Sequence, residues 1–210
     1  MYKKKFYFIV FEGVEGTGKS YQINKLFKNL INLNLKVTKT REPGGCYSAE
    51  KIRKLIFDKK SNQFDKLTDF YLLLAARNEH IQKIIIPSKK KKNILISDRF
   101  IDSTFAYQVI GNKISNKINL LNQKYICKNI KPNLTIVLKS DIKTIRKRLK
   151  KRKKSNKFDN LKASFYKKAQ KAYIKIANKN KSKYIIFDSS KNTNYLEEKI
   201  FKLILSKLKN

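Results

Sequence analysis

Short apolar runs and helically spaced apolar positions take turns along this chain. Phe6 to Phe11 (FYFIVF) is a continuous apolar run stopped by Glu12-Gly13, the pattern of a strand buried on both faces of a parallel sheet. Ile23, Leu26, Phe27 and Leu30 then recur at helical spacing and predict a helix over Ser20 to Asn32. Leu35 to Thr40 reads as a second strand, and Arg41 to Gly45 (REPGG) as a loop by its Pro-Gly-Gly content. A short helix is expected at Ala49 to Phe57 and a long one at Leu67 to Ile86, closed by Pro87. Asn93 to Ser97 (NILIS) is a buried strand running into Asp98-Arg99, and helices are expected at Ile101 to Val109 and Lys117 to Asn129. Pro132 introduces the strand Leu134 to Leu138 (LTIVL), and Asp141 is placed to start a helix ending at Lys151. A helix over Leu161 to Asn178, a strand at Tyr184 to Phe187 and a helix at Tyr195 to Leu208 complete the pattern.

Five apolar strands alternating with helices predict an α/β fold, a doubly wound parallel five-stranded sheet with helices on both faces. The length of 210 residues suits one domain. The segment Lys150 to Lys157 (KKRKKSNK) is too hydrophilic for a core and is the candidate insertion.

The chemistry concentrates where the first strand ends. Gly13-Val14-Glu15-Gly16-Thr17-Gly18-Lys19-Ser20 fits the pattern G-x-x-x-x-G-K-[ST] between a predicted strand and a predicted helix. Chance produces such a match in roughly one chain of this length per hundred. Glycines let the backbone approach phosphates, and the loop amides with the helix N-terminus present donors to the anion. Lys19 is expected to reach the β/γ oxygens of ATP, and the Ser20 hydroxyl to ligate Mg2+. Asp98, at the end of an apolar strand, is the expected second metal group.

Composition adds two constraints. The formal charge of +36 invites a nucleic-acid partner, because dense positive charge binds phosphate backbones without sequence preference. Yet 44 lysines are scattered over every segment beside only 7 arginines, with abundant Asn and Ile, a profile that suits a coding sequence drifting toward A and T. No specific nucleic-acid partner is therefore expected. Where arginine survives, it marks chemistry that lysine cannot do, such as planar bidentate recognition of phosphate. Cys46 and Cys127 are too few and too far apart for a disulfide framework or a zinc site. The N-terminal apolar run meets Glu12 before it forms a leader core, and no apolar stretch reaches the ~20 residues that span a bilayer. A cytoplasmic protein without membrane attachment is expected.

The chain resembles the bacterial thymidylate kinases over nearly its whole length. The carriers are FEGVEGTGKS (Phe11 to Ser20), REPGG (Arg41 to Gly45), LLLAARNEH (Leu72 to His80), DRFIDSTFAYQ (Asp98 to Gln108) and PNLTIVL (Pro132 to Leu138), in that order. The resemblance implies a P-loop nucleoside monophosphate kinase-like fold, a homodimer, and transfer of the γ-phosphoryl of ATP to dTMP. It implies that Arg99 clamps the acceptor monophosphate while Asp98 assists through Mg2+. Arg77 would donate to the thymine carbonyl, with Thr104 at the base edge and Gln108 and Arg41 in the acceptor pocket. Glu15 would accept from the sugar 3′-OH, and Tyr107 would crowd the 2′ position. Pro43 would shape the pocket, through a cis peptide bond if it has one. Gly16 stands where one subgroup carries arginine, so the resemblance implies that a lid at about 146–160 supplies the positive charge. Arg148, Lys150 and Arg152 align without gaps onto the alternating lid arginines of the second subgroup, with Arg146 close by.

Some positions depart from the family pattern. An aromatic residue common just before Ala-Ala-Arg is Leu74 here, which leaves open the side chain that packs on the base; Phe70 and Tyr71 are read as core. The Asp that often follows the LTIVL strand is Lys139, the lid's Asp-Arg pair reads Asn156-Lys157, and the Gln-Gly-Gly segment is Gln108-Val109-Ile110. The single histidine, His80, is expected at a solvent-facing helix surface. Two competing readings remain: another nucleotide or deoxynucleoside kinase, and a P-loop ATPase that binds nucleic acid through its lysines.

Overall fold

Five strands form one sheet: β1 (Tyr7–Glu12), β2 (Val37–Arg41), β3 (Ile94–Asp98), β4 (Leu134–Lys139) and β5 (Tyr184–Asp188). The structure, a computed structural model, describes residues 5–58, 64–128, 130–151, 158–159, 161–191 and 193–209. All pairings are parallel, in the order β2-β3-β1-β4-β5. The order reverses direction at β1, with β3 on one side and β4 on the other, and a doubly wound sheet opens its ligand crevice at that point. The register brings the working residues to one edge: Asp98 is level with Phe11 on one neighbour and with Arg41 on the other.

The helices are α1 (Lys19–Ile31), α2 (Tyr47–Phe57), α3 (Lys66–His80), α4 (Ile86–Lys90), α5 (Ile101–Thr104), α6 (Asn116–Asn122), α7 (Ile142–Lys150), α8 (Ala163–Lys179) and α9 (Thr193–Lys209). Every residue of β1 is buried, as its unbroken apolar run demands. Its odd positions, Tyr7, Ile9 and Phe11, pack with Leu26 and Leu30 of α1 and Ile200 and Ile204 of α9. Its even positions, Phe8 and Val10, pack with Phe100 and with Ile81 and Ile85 beyond α3. Farther along that face, Val137 of β4 meets Ile145 of α7 and Tyr166 and Tyr173 of α8. Each such side chain contributes about 1.5–3 kcal/mol by leaving water, so the sheet end that carries the site rests on a core closed from both sides. Among the described residues no helix is long and apolar enough to cross a membrane.

The predicted strands and helices are all present, with ends shifted by a residue or two. The larger differences lie where helices widen. The long helix does not stop at Pro87: a π-helical turn, Ile81–Ile85, follows α3, and Pro87 lies at the start of α4. Proline has no N–H and crowds the carbonyl four residues back; a widened turn ahead of it relieves both defects. Similarly, the helix expected at 101–109 is α5 followed by a π-helical turn to Gly111, and that expected at 117–129 is α6 followed by one to Cys127. Asp141 starts α7 as expected, its Oδ1 accepting from the Thr144 amide at 2.7 Å.

Candidate active site

The loop after β1 is shaped by close approach. Gly13 has φ 139°, and a Cβ there would strike the carbonyl oxygen of Leu138 in β4, so no side chain is tolerated. Thr17 Oγ1 donates to Val14 O at 2.7 Å and ties the loop across itself. Gly18, with φ 84°, occupies the N-cap of α1 without a capping side chain. The first-turn amides of α1 thus have no side-chain acceptor from the cap, which is what an incoming phosphate requires. Lys19 folds back over the loop, its Nζ donating to Gly13 O at 2.8 Å and to Val14 O at 3.0 Å. Burial, and then the neighbouring Arg99, pull its pKa down to about 8. A buried ammonium resting on carbonyls is a group waiting for an anion.

Beside it, Ser20 Oγ donates to Asp98 Oδ2 at 3.0 Å, while Asp98 Oδ1 is buried without a hydrogen-bond partner among the described residues. Two oxygens adjacent to a phosphate-binding loop, one of them orphaned, suit a hard cation such as Mg2+, which takes one or two protein oxygens and completes its shell from phosphates and water.

Arg99 follows β3 in a left-handed conformation, φ 77°. Its Nη2 donates to Glu15 Oε1 at 2.8 Å, and its Nη1 to Ser103 Oγ and the Tyr173 hydroxyl, each at 3.0 Å. Tyr107 lies beneath the guanidinium, 5.1 Å from ring centre to Cζ, and its hydroxyl donates to Glu15. The turn that carries Arg99 is anchored on Glu12, whose Oε1 accepts from the Phe100 amide at 2.8 Å and Oε2 from the Ser103 hydroxyl at 2.7 Å. Burial and the nearby Asp102 push the Glu12 carboxyl up to about 8.

A second buried network stands across the crevice. Glu42 precedes Pro43 through a cis peptide bond. Its Oε2 accepts from Arg77 Nε at 2.8 Å, and its Oε1 pairs with His80 Nδ1 at 2.8 Å. Arg77 also donates to Thr104 Oγ1 at 2.9 Å and Phe100 O at 3.0 Å. His80 is therefore not at a solvent-facing surface: it is wholly buried, with Nε2 paired to Thr40 Oγ1 at 2.8 Å. A lone polar residue near the end of a helical pattern reads as exposed unless its partners, here on β2 and the loop after it, are known.

Between these groups lies a cavity of about 410 Å³, within the range of small-molecule sites. The described residues expected at the site line it, except Gly13, Val14 and Thr17, which build the loop from behind. Arg41 lines it while held by Glu50, Nη2 to Oε2 at 2.9 Å. Arg148 reaches it from α7, its Nη1 donating to Gly16 O at 3.2 Å and Nη2 to Ser189 O at 2.7 Å. Arg146 and Lys150 are exposed and do not line it. Arg152 and the Asn156-Lys157 pair lie outside the described residues. Besides Arg77, the α3 residue lining the cavity is Leu73; Leu74 is buried in the core. Phe70 is core as expected, but Tyr71 is half-exposed.

Sequence reasoning missed Arg53 of α2. It lines the cavity, donates to Pro43 O at 2.8 Å and lies 4.4 Å over the Phe57 ring. Burial and the like charge of Arg41 draw its pKa down to about 10. The scarcity of arginine that singled out Arg41, Arg77 and Arg99 applied equally to it. Phe158 was missed too; it closes the wall with edge-on contacts to Phe57 and Tyr107, at centroid distances of 5.5 and 5.6 Å.

Comparison with known proteins agrees with this geometry. The thymidylate kinase family model matches residues 11–200. A thymidylate kinase of Mycoplasma capricolum is 38% identical over 204 residues, covering 96% of each chain. One from Aster yellows witches'-broom phytoplasma is 39% identical over 205 residues, again 96% of each. The crystal structure of a thymidylate kinase from Ehrlichia chaffeensis superposes with a TM-score of 0.78 at 29% identity, covering 95% of this chain and 99% of that one. With its family motifs gathered around one cavity, and matched at this length and identity, the chain belongs to the thymidylate kinase family.

Proposed function

We propose that the two ends of this cavity hold the two substrates of a phosphoryl transfer, ATP over the P-loop and dTMP against α3. As a member of its family the chain phosphorylates dTMP to dTDP; the proposal concerns which residues do so. The observation that carries it is that Lys19, Ser20 and Asp98 open into the same cavity as Arg77, Thr104 and Gln108, and that Arg99 lines it with them.

Phosphoryl transfer asks a protein mainly for alignment and charge neutralisation. Lys19 leaves its carbonyls for the β/γ oxygens of ATP, and the bare amides of α1 receive the phosphates. Ser20 and Asp98 would hold Mg2+, which when bound supplies positive charge to the phosphate oxygens. Arg99 receives the acceptor phosphate, supported by Arg53 and Arg41. The acceptor oxygen is already anionic near neutral pH, so no strong general base is required. Among the described residues three of the five N–H groups of Arg77 are used inside the protein, leaving two for a base carbonyl. Thr104 and Gln108 stand at the base edge, with Pro43 and the aliphatic Leu73 as walls. Glu15 takes the sugar 3′-OH, and Tyr107, locked to Glu15, crowds the 2′ position. Arg148, on α7 where the lid at about 146–160 begins, neutralises the transferring group, with Arg152 as its partner. Half-exposed Tyr71 and exposed Tyr47, Leu120 and Tyr125 put apolar surface on α2, α3, α6 and the π-helical turn after α6, where a homodimer contact would be made. The chain acts in the cytoplasm without a nucleic-acid partner.

A coupled assay of ADP release over dTMP, dUMP, dCMP, dAMP and thymidine tests the assignment. The highest kcat/KM is expected with dTMP; a preference for any other acceptor overturns it.

A further inference from the structure

Arg77 and His80 lie three residues apart on α3, so they share one helix face, and both spend that face on one carboxylate. Glu42 receives Arg77 at Oε2 and His80 at Oε1, each at 2.8 Å, and all three side chains are at most 5% exposed. An ionised carboxylate only accepts, so Nδ1 of His80 carries the hydrogen between them. The imidazole is fixed in turn by Thr40 at 2.8 Å on Nε2 and by the backbone of Gly45, where a Cβ would come within 2.9 Å of its ring. Both the last residues of β2 and the loop after it are thus built around the ring.

We propose that His80 is a positioning residue for recognition of the base. It fixes the rotamer of Glu42, and Glu42 fixes the plane of the Arg77 guanidinium, so that the two N–H groups left over point to a carbonyl acceptor. Without His80, one oxygen of Glu42 is released and the carboxylate can rotate about Oε2. The Arg77 fork then loses the fixed edge against which Thr104 and Phe100 hold it. The inference rests on the reading above that Arg77 faces the base.

The consequence is selective. Thymine presents a carbonyl acceptor where cytosine presents an amino donor. A guanidinium free to tilt recognises the first less well and excludes the second less well, while ATP, at the other end of the cavity, is unaffected. Hydrogen bonds to charged groups are worth about 1.5–3 kcal/mol, so roughly a tenfold or larger change in the ratio of kcat/KM for dTMP to that for dCMP is at stake.

The amide nitrogen of asparagine mimics Nδ1 and that of glutamine mimics Nε2, which separates positioning from simple core filling. The intact enzyme is assayed as His80→Asn and His80→Gln, with both nucleotides and with ATP varied. His80→Gln is expected to raise KM for dTMP and to lower the dTMP-to-dCMP ratio about tenfold, with KM for ATP unchanged. His80→Asn, which keeps the donor to Glu42, is expected to retain most of the ratio. Glu42→Asp, which retracts the carboxylate but keeps its charge, is expected to behave like His80→Gln. Equal ratios in the two His80 variants, or the reverse order, overturn the inference. Arg77→Lys serves as the reference: an unchanged ratio there would sink the underlying reading of Arg77 instead.

Discussion

Replacing Glu42 by glutamine changes one atom of the side chain and removes the charge that two buried partners share. The Glu42 and Arg77 side chains are each 4% exposed and the His80 side chain is fully buried, so water cannot rescue either. Glutamine keeps one acceptor, which Arg77 Nε–H can use; its amide NH2 then faces His80 Nδ1, a donor-to-donor contact unless the ring moves its hydrogen to Nε2 and gives it to Thr40 Oγ1. The guanidinium also loses the counter-charge it is paired with. Removing one partner of a buried ion pair costs about 3–5 kcal/mol because the other charge stays buried. For a domain of this size each kcal/mol lowers Tm by about 2–4 °C, which puts the loss near 10 °C. Thermal denaturation by circular dichroism measures it directly.

The pH dependence has a definite sign. Burial alone would raise the Glu42 pKa, but Arg77 and His80 together outweigh it and hold the carboxyl below its ordinary 4.5. A depressed carboxyl stabilises the fold above its unfolded pKa and loses that contribution as pH falls through the folded value. The Tm gap between the native chain and Glu42→Gln should therefore be constant from neutrality down to about pH 5.5 and close only below about 4.5. A gap under about 2 °C at pH 7 would show that the buried guanidinium does not need the charge at Glu42. A gap that closes above pH 6 would show that the charge at Glu42 is not what Arg77 needs.

Four further outcomes can be checked. Lys19 has a pKa near 8 because of burial and Arg99, and bound triphosphate must raise it; ATP binding measured by calorimetry should take up protons at pH 8.5, none at pH 6.5, and weaken above pH 8. Lys19→Ala should abolish ATP-Mg binding. Gly45→Ala places a methyl group against Thr40 and within 2.9 Å of the His80 ring at φ 91°, and should lower stability by about 2–3 kcal/mol in urea denaturation. Arg148→Ala removes a guanidinium bonded to Gly16 O and should lower kcat at least ~100-fold with little change in either KM, read by steady-state kinetics.

Most of the sheet was legible because β1, β3, β4 and β5 are runs of apolar residues too short for a helix; β2 (VTKTR), in which only Thr40 is buried, is the exception. The P-loop was legible for a similar reason, since Gly13 and Gly18 are demanded locally by the backbone path. The Glu42 network was hidden because its members come from β2, the following loop and α3, and only the fold shows that Thr40, Glu42, Arg77 and His80 meet. Leu73 and Leu74 show the finer limit. A motif aligned by its Ala-Ala-Arg end places a side chain to within one residue, and on a helix one residue is a rotation of about 100°, the difference between cavity and core. The helix that runs through Pro87 makes the same point about breakers, because a widened turn upstream can absorb what proline removes. Rarity proved a better guide than pattern in this lysine-rich chain. Arg41, Arg77, Arg99 and Arg148 line the cavity, and Arg53, which no motif announced, lines it too. Of the described arginines only Arg146 does not. Lysine could have met any demand for charge alone, so the surviving guanidiniums locate the places where phosphate or a carbonyl must be gripped in a plane.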